Sequence, residues 1–202
     1  MNLNVMLVFA LVGYLIGSVL FARVVSHFCG IDISKVGSGN SGATNVVRTI
    51  GKKAGILAFL GDFFKSFAAV ALVLRLQPIG GVSSADLAIA MMLGVVFGHD
   101  FPIFFKFKGG KGVSVTMGGI SALMPGTAII GILLWLVIFH ATGFVSAASL
   151  FFAISLPITS FAFGCSMHSV ALAIFMSVII FWCHRSNIRR LWNGSEYRFE
   201  GK

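Results

Sequence analysis

The chain has 202 residues, 57% of them hydrophobic and only 10% charged, with a formal net charge of +9. Soluble domains carry about 25% charged residues, so an ordinary water-soluble globule is excluded, and 15 Lys and Arg are too few for a nucleic-acid-binding surface. A hydrocarbon core ~30 Å thick needs ~20 apolar residues per crossing, and apolar runs of that order fill more than half of the chain.

The first run, Val5 to Val25, has no basic residue before it and no small-residue cleavage site, so it reads as a retained span. A Gly-rich polar block follows from Gly37 to Arg48, then a second run from Ala54 to Leu76, a stretch without basic residues from Gln77 to Asp86, and a third run from about Ala88 to Phe105. A second polar block, Gly98 to Gly112, overlaps the end of that run. Between Val113 and Cys183 no residue is formally charged. Breaks at Pro125-Gly126, Thr142-Gly143 and Gly164 to His168 divide this stretch into four apolar pieces, the first two short. The expectation is an all-α, polytopic helical membrane protein with about seven transmembrane helices in one domain, 1–202, or five if the short pieces are half-spans.

Thirteen of the 15 basic residues fall into three blocks: Arg23 to Lys53, Lys106 to Lys111, and Arg185 to Lys202. Short loops rich in Lys and Arg stay on the cytoplasmic side during insertion. All three blocks are therefore expected inside, Gln77 to Asp86 outside, the N-terminus out and the C-terminus in. Function is expected in the polar cytoplasmic segments, because the apolar helices carry almost no titratable chemistry.

In the first block, Gly37-Ser38-Gly39-Asn40-Ser41-Gly42 lets the backbone fold tightly and aim successive N–H groups at one point, while Ser38, Thr44 and Asn45 add short donors and Arg48 a guanidinium fork. This suits a phosphate; a flexible linker is the plainer reading, weakened by the Asn-x-x-Arg directly before a membrane helix. In the second block, Gly109, Gly110 and Gly112 stand beside Lys108 and Lys111, at the start of a helix that adds positive potential. Its spacing is not that of a Walker A loop, and snorkelling lysines are the alternative. In the third block, His184 and Asn187 are three apart and share a helical face; an interfacial His and a lipid-attracted basic tail would look the same. The conjunction of three such segments favours one shared anion site beside lipid.

Asp62 and Lys65 lie three apart in an apolar run and read as a structural pair. Cys29, Cys165 and Cys183 lack pairing or zinc spacing and read as small apolar residues. His140 and His168 stand at loop breaks and read as satisfied or interfacial histidines. The carboxylates are scattered without metal-ligand spacing, so neither metal nor cofactor is expected.

With GSGNSGATNVVR at Gly37 to Arg48, GHDFPIFFKFKGGKGV at Gly98 to Val113 and HRSNIRRLWNGSE at His184 to Glu196, the sequence resembles the bacterial acyl-phosphate:glycerol-3-phosphate acyltransferase family over essentially its whole length. The resemblance implies a seven-helix enzyme of the inner membrane, its site facing the cytoplasm, that moves a fatty acyl group from acyl-phosphate to the 1-hydroxyl of sn-glycerol 3-phosphate. It releases lysophosphatidic acid and phosphate, the first membrane step of phospholipid synthesis. The implied partners are acyl-phosphate, glycerol 3-phosphate, membrane lipid and a soluble acyl-phosphate-producing enzyme, with no nucleic acid. Carried over by motif position, Ser38, Thr44, Asn45, Arg48, Lys108, Gly109, Gly110 and Lys111 hold phosphate, and His184, Asn187, Arg190 and Glu196 complete the glycerol 3-phosphate side. His184, Lys111 and Arg48 are the catalytic candidates. Ser34, Ser66, Ser114-Val115 and Arg198 depart from the family pattern at motif edges.

Two other classes compete. A transporter of phosphate or a phosphorylated metabolite would need access from both sides and shows no inverted repeat; a CDP-alcohol phosphotransferase would need metal-binding carboxylates. His27 and Asp32 spell the H-x-x-x-x-D of thioester-dependent acyltransferases, but two fixed positions arise easily by chance.

Overall fold

The computed structural model describes residues 2–199, which leaves Lys202 of the third basic block outside the described residues. Among the described residues the chain forms ten α-helices and one 3-10 turn, gathered into two compact units, Met1–Leu123 and Met124–Lys202. The all-helical membrane architecture expected from the apolar runs is observed. Five stretches are long and apolar enough to cross a bilayer: Leu3–Phe28, Lys52–Leu74, Ser84–Phe105, Pro125–Thr142 and Val145–Ala162. Met167–Cys183 with Arg185–Trp192 makes a sixth, bent by 61°. The remaining apolar helix, Val113–Leu123, has 11 residues, about 16 Å at ~1.5 Å per residue, roughly half a hydrocarbon core.

In the first unit, α1 (Leu3–Gly17) packs against α5 (Ser84–Asp100) through glycines four apart on each helix. A methyl group at Gly13 or Gly17 would overlap the backbone of Met91 or Val95, and one at Gly94 or Gly98 the carbonyls of Ala10 and Tyr14. Small residues at this spacing let helix backbones approach closely where lipid offers no hydrophobic drive. Residue numbers rise together along the seam, so the helices run parallel, and the Tyr14 hydroxyl donates to the Phe101 carbonyl at 2.7 Å near their common end. The loops after α1 and after α5 therefore emerge at the same end. At the other end, Gly80 lies against Asn2 and Val5.

The first apolar run is not one helix. It breaks at Ser18–Leu20 before α2 (Phe21–Phe28), and the Lys65 ammonium of α4 (Lys52–Leu74) accepts the task of satisfying the freed carbonyls, donating to Gly17 and Val19. A break at membrane depth survives only where protein groups replace the lost helical partners. Between α2 and α4, α3 (Ala43–Thr49) closes a small core of Ala22, Ile33, Val46 and Ala58. The short α6 (Val113–Leu123) lies on α4, with Gly118 against the Phe63 backbone.

In the second unit, α7 (Pro125–Thr142) starts with proline in its first turn, where the missing N–H costs nothing, and ends at Gly143 with φ 73°. Next come α8 (Val145–Ala162) and α9 (Met167–Cys183), and then α10 (Arg185–Trp192), whose last-turn Arg189 and Arg190 sit at the negative helix end. The breaks near 125, 143 and 164–168 stand where the composition puts them.

Candidate functional site

In the first unit the two glycine-rich loops meet. Asn40 Nδ2 donates to the Gly109 carbonyl at 3.2 Å, and the Ser41 backbone N–H donates to the same oxygen at 3.4 Å. Arg23 of α2 donates from Nε to Ser41 Oγ at 3.0 Å and lies 4.2 Å above the Phe105 ring, clamping both loops from the side.

The first loop is organised from within by Asn45. Its Nδ2 faces the carbonyls of Ile33, Val36 and Asn40 at 3.1–3.2 Å, and its Oδ1 accepts the Ser38 backbone N–H at 2.9 Å. The amide is buried, 2% exposed, and surrounded by its own loop, so it acts as the loop's brace. A short amide close to backbone groups is a natural turn organiser. Gly37, at φ 60°, passes so close to Asn45 Oδ1 that no Cβ fits. The Ser38 side chain is left exposed, and Thr44 and Arg48 are half-buried on α3.

The second loop is held in an unusual conformation. Lys106 and Phe107 both have positive φ, 51° and 59°, a state that costs non-glycine residues on the order of 1–3 kcal/mol each. Hydrogen bonds from the N–H groups of Phe107 and Lys108 to the carbonyls of Pro102 and Phe105, each 3.0 Å, maintain it. Beyond it, the Gly109 and Gly110 N–H groups donate to the carbonyls of Asp100 and His99 at 3.2 and 2.9 Å. Lys108 is exposed and Lys111 half-buried, both at the mouth of the glycine turn that precedes the N-terminus of α6.

Beside Arg23 opens a cavity of roughly 1000 Å³, largely apolar, lined by Leu20, Val24, Phe28, Ile31, Phe104 and Phe105 among others. His27 and Asp32 also line it. The Asp32 carboxylate accepts Ser34 Oγ at 2.6 Å and Ser34 N at 3.1 Å and lies 3.4 Å from Lys35 Nζ. Those Ser34 bonds hold its pKa below the ordinary carboxylate value. Asp32 thus stabilises its own turn.

In the second unit, the third block is tied together by Glu196. Its Oε1 accepts Asn187 Nδ2 at 2.6 Å and Ser146 Oγ at 3.0 Å, and its Oε2 accepts Arg190 Nε at 2.7 Å. Burial opposes ionisation of this carboxyl, but the three hydrogen bonds outweigh it and keep the pKa below the ordinary value. The arrangement locks the segment after α10 onto the start of α8, and the Phe199 N–H adds a bond to the Gly143 carbonyl at 2.9 Å. His184 is 4% exposed. Its Nδ1 lies 2.8 Å from the Ile180 carbonyl, which can only accept, so Nδ1 carries a proton and Nε2 is the basic nitrogen of the neutral ring.

The structure thus joins the first and second motifs through Asn40, Ser41 and Gly109, with Ser38 and Asn45 bonded to each other in the first loop, and separately joins Asn187, Arg190 and Glu196, with His184 at the start of the same helix. Sequence reasoning gave no individual role to Tyr14, Arg23, Asn40, Ser41, His99 and Ser146. Asn40, Ser41 and His99 stand inside the quoted motifs, so the motif boundaries held the signal; Ser146, in the charge-free region, had none. Among the described residues no group of three or more His, Cys, Asp or Glu could hold a metal ion.

Residues 7–194 match the family described as glycerol-3-phosphate acyltransferase. A glycerol-3-phosphate acyltransferase of Aquifex aeolicus is 40% identical over 186 residues, which is 92% of this chain and 95% of the relative. The fold is similar to that of PlsY, an integral membrane glycerol 3-phosphate acyltransferase, in its glycerol 3-phosphate form, with TM-score 0.89, 39% identity and 96% of each chain covered. Its lysophosphatidic acid form matches with TM-score 0.85 at the same identity, covering 96% of this chain and 94% of that one.

Proposed function

The chain belongs to the glycerol-3-phosphate acyltransferase family and is a multi-pass integral membrane protein, and from this premise we propose that it transfers a fatty acyl group from acyl-phosphate to the 1-hydroxyl of sn-glycerol 3-phosphate at the cytoplasmic face of a bacterial inner membrane. The observation that carries this reading is the junction of the two basic, glycine-rich loops on the Gly109 carbonyl. Ser38, Thr44 and Arg48 from one side, and Lys108 and Lys111 from the other, suit the phosphate of the donor, while the Gly109 and Gly110 N–H groups, engaged with the carbonyls of Asp100 and His99, shape the turn instead of binding it. Asn45 holds the first loop in shape for them. The cavity beside Arg23 suits an acyl tail, and the His184, Asn187, Arg190 and Glu196 cluster suits the acceptor, within one working domain over 1–202.

Acyl-phosphate is a mixed anhydride whose carbonyl is already activated and whose leaving group is phosphate. The acceptor hydroxyl attacks that carbon, the carbon–oxygen bond to phosphate breaks, and the departing phosphate takes the hydroxyl proton. No acyl–enzyme forms in this scheme. Fixing both reactants can supply about 7–11 kcal/mol of the barrier reduction, and preformed donors around the phosphate stabilise the charge arriving on it. Holding the loop strained before substrate arrives avoids reorganisation during reaction. A second reading makes His184 the base, since the Ile180 bond leaves Nε2 as its proton acceptor.

Purified protein given palmitoyl-phosphate and labelled glycerol 3-phosphate, without added divalent cation, should form lysophosphatidic acid. Palmitoyl-coenzyme A in place of the donor should give none; product from the thioester alone would overturn the assignment. With His184→Ala, a raised KM for glycerol 3-phosphate at nearly unchanged kcat supports phosphate as proton acceptor, whereas lost kcat recovered with imidazole makes His184 the base.

A further inference from the structure

A group of buried ionisable side chains beneath the second loop is not used by the reaction scheme above. The Asp62 carboxylate, 0% exposed, receives the Lys65 ammonium at 2.7 Å, lies 3.5 Å from His99 Nδ1, and accepts the Phe21 backbone N–H at 3.4 Å. Lys65 has three N–H donors, and Asp62 with the carbonyls of Gly17 and Val19 provides three acceptors. With those protons committed, the nearby His99 Nδ1, 3.4 Å from Lys65 Nζ, donates to Asp62. That fixes the ring and turns its Nε2 edge outward. This edge meets Gly110: a methyl group there would overlap His99 Nε2, and the three atoms nearest to it would all belong to the His99 ring. The His99 carbonyl at the same time accepts the Gly110 N–H at 2.9 Å. Asp62 also reaches the first amide of α2, the helix whose Arg23 donates to Ser41 in the first loop. One buried carboxylate therefore connects both loops.

We infer that His99, oriented by Asp62 and Lys65, is a positioning residue: its ring edge is the floor on which Gly110 rests, and it sets the height of the Gly109–Lys111 turn relative to the first loop. The ring is buried, 2% exposed, and acts through Gly110. This inference deepens the acyl-transfer reading and rests on it for the identity of the ligand, while the packing it invokes rests on the contacts of Asp62, Lys65, His99 and Gly110.

The test is a pair of complementary substitutions. Gly110 has an ordinary backbone conformation, so Gly110→Ala introduces only the overlap with His99. His99→Ala removes the floor, and the double variant replaces imidazole bulk by the new methyl. Each single variant should raise KM for palmitoyl-phosphate at least tenfold, and the double variant should be at least tenfold better in kcat/KM than the product of the single losses allows. Multiplicative losses in the double variant, or a His99→Ala enzyme with wild-type KM, would overturn the inference. A merely structural histidine would lower thermal stability without producing this rescue. Thermal stabilisation by inorganic phosphate is measured on the same four proteins, and should be lost in each single variant and regained in the double. If wild type binds phosphate but turns over no acyl-phosphate, the reaction assignment fails while this second readout still decides the positioning role; a variant that does not fold is replaced by His99→Gln, which should retain an amide at the Nε2 position and near-wild-type KM.

Discussion

At Glu196 a single carboxylate holds Ser146, Asn187 and Arg190 together, and its titration has a calculable consequence. Its pKa is lowered in the folded protein, so its contribution to stability is complete above the ordinary carboxylate pKa and is lost as pH falls through the lowered folded value. Glu196→Gln keeps one acceptor but loses charge, which for a partly solvated cluster is worth about 1 kcal/mol or less. A chain of this size should then melt lower at neutral pH by at most about 2–4 °C. Melting curves from pH 7 to pH 3 should show the wild-type advantage over Glu196→Gln shrinking toward zero on the acid side. A gap that stays constant would mean the carboxylate contributes no linked stability. Asn45 and Glu196 also mark what was legible at this scale. Both were visible as polar residues in suggestive motifs, yet an amide that would hold a phosphate and one that braces its own loop have the same spacing. Only the direction of the side chain separates them, and direction is set by Ile33, Val36 and Asn40, whose carbonyls carry no sequence signal.

Among elements, helix-length apolar runs and Gly or Pro breaks were readable because a bilayer demands length and satisfied backbones. The break at Ser18–Leu20 was not, since its stabilising partner, Lys65, comes from another helix. The short α6 was readable, because Pro125-Gly126 cuts off the apolar stretch that follows from Val113. The α1–α5 seam is written in the four-residue spacing of Gly13 and Gly17 and of Gly94 and Gly98. Gly94→Val would drive a branched side chain into the Ala10 carbonyl, where backbone must move, at a cost on the order of 3 kcal/mol or more. Gly126→Ala should cost far less, since its new methyl meets the Phe163 ring at 3.3 Å and that side chain is exposed and free to shift. Size-exclusion profiles after detergent extraction should show folded Gly126→Ala and little folded Gly94→Val. Equal recovery would remove the seam from the list of determinants.

For the whole molecule, the parallel packing of α1 and α5 brings the first and second basic blocks to one end of the first unit and leaves the turn around Gly80 near the N-terminus at the other. That is the division the charge rule demands of 1–123. By the same rule the Arg residues of the third block are expected on the cytoplasmic side, and the proposed reaction depends on that expectation. After Cys29, Cys165 and Cys183 are replaced by Ala, single cysteines at the exposed positions Ser34, Lys106, Arg189 and Gln77 probe it directly. In inside-out vesicles a membrane-impermeant maleimide should label Ser34→Cys, Lys106→Cys and Arg189→Cys and leave Gln77→Cys unmodified. Intact spheroplasts should give the reverse. Labelling of Arg189→Cys together with Gln77→Cys would put the Glu196 cluster and the two glycine-rich loops on opposite surfaces. A hydroxyl and an anhydride held across ~30 Å of hydrocarbon cannot react, so that outcome would end the shared-site mechanism even if the family assignment stood.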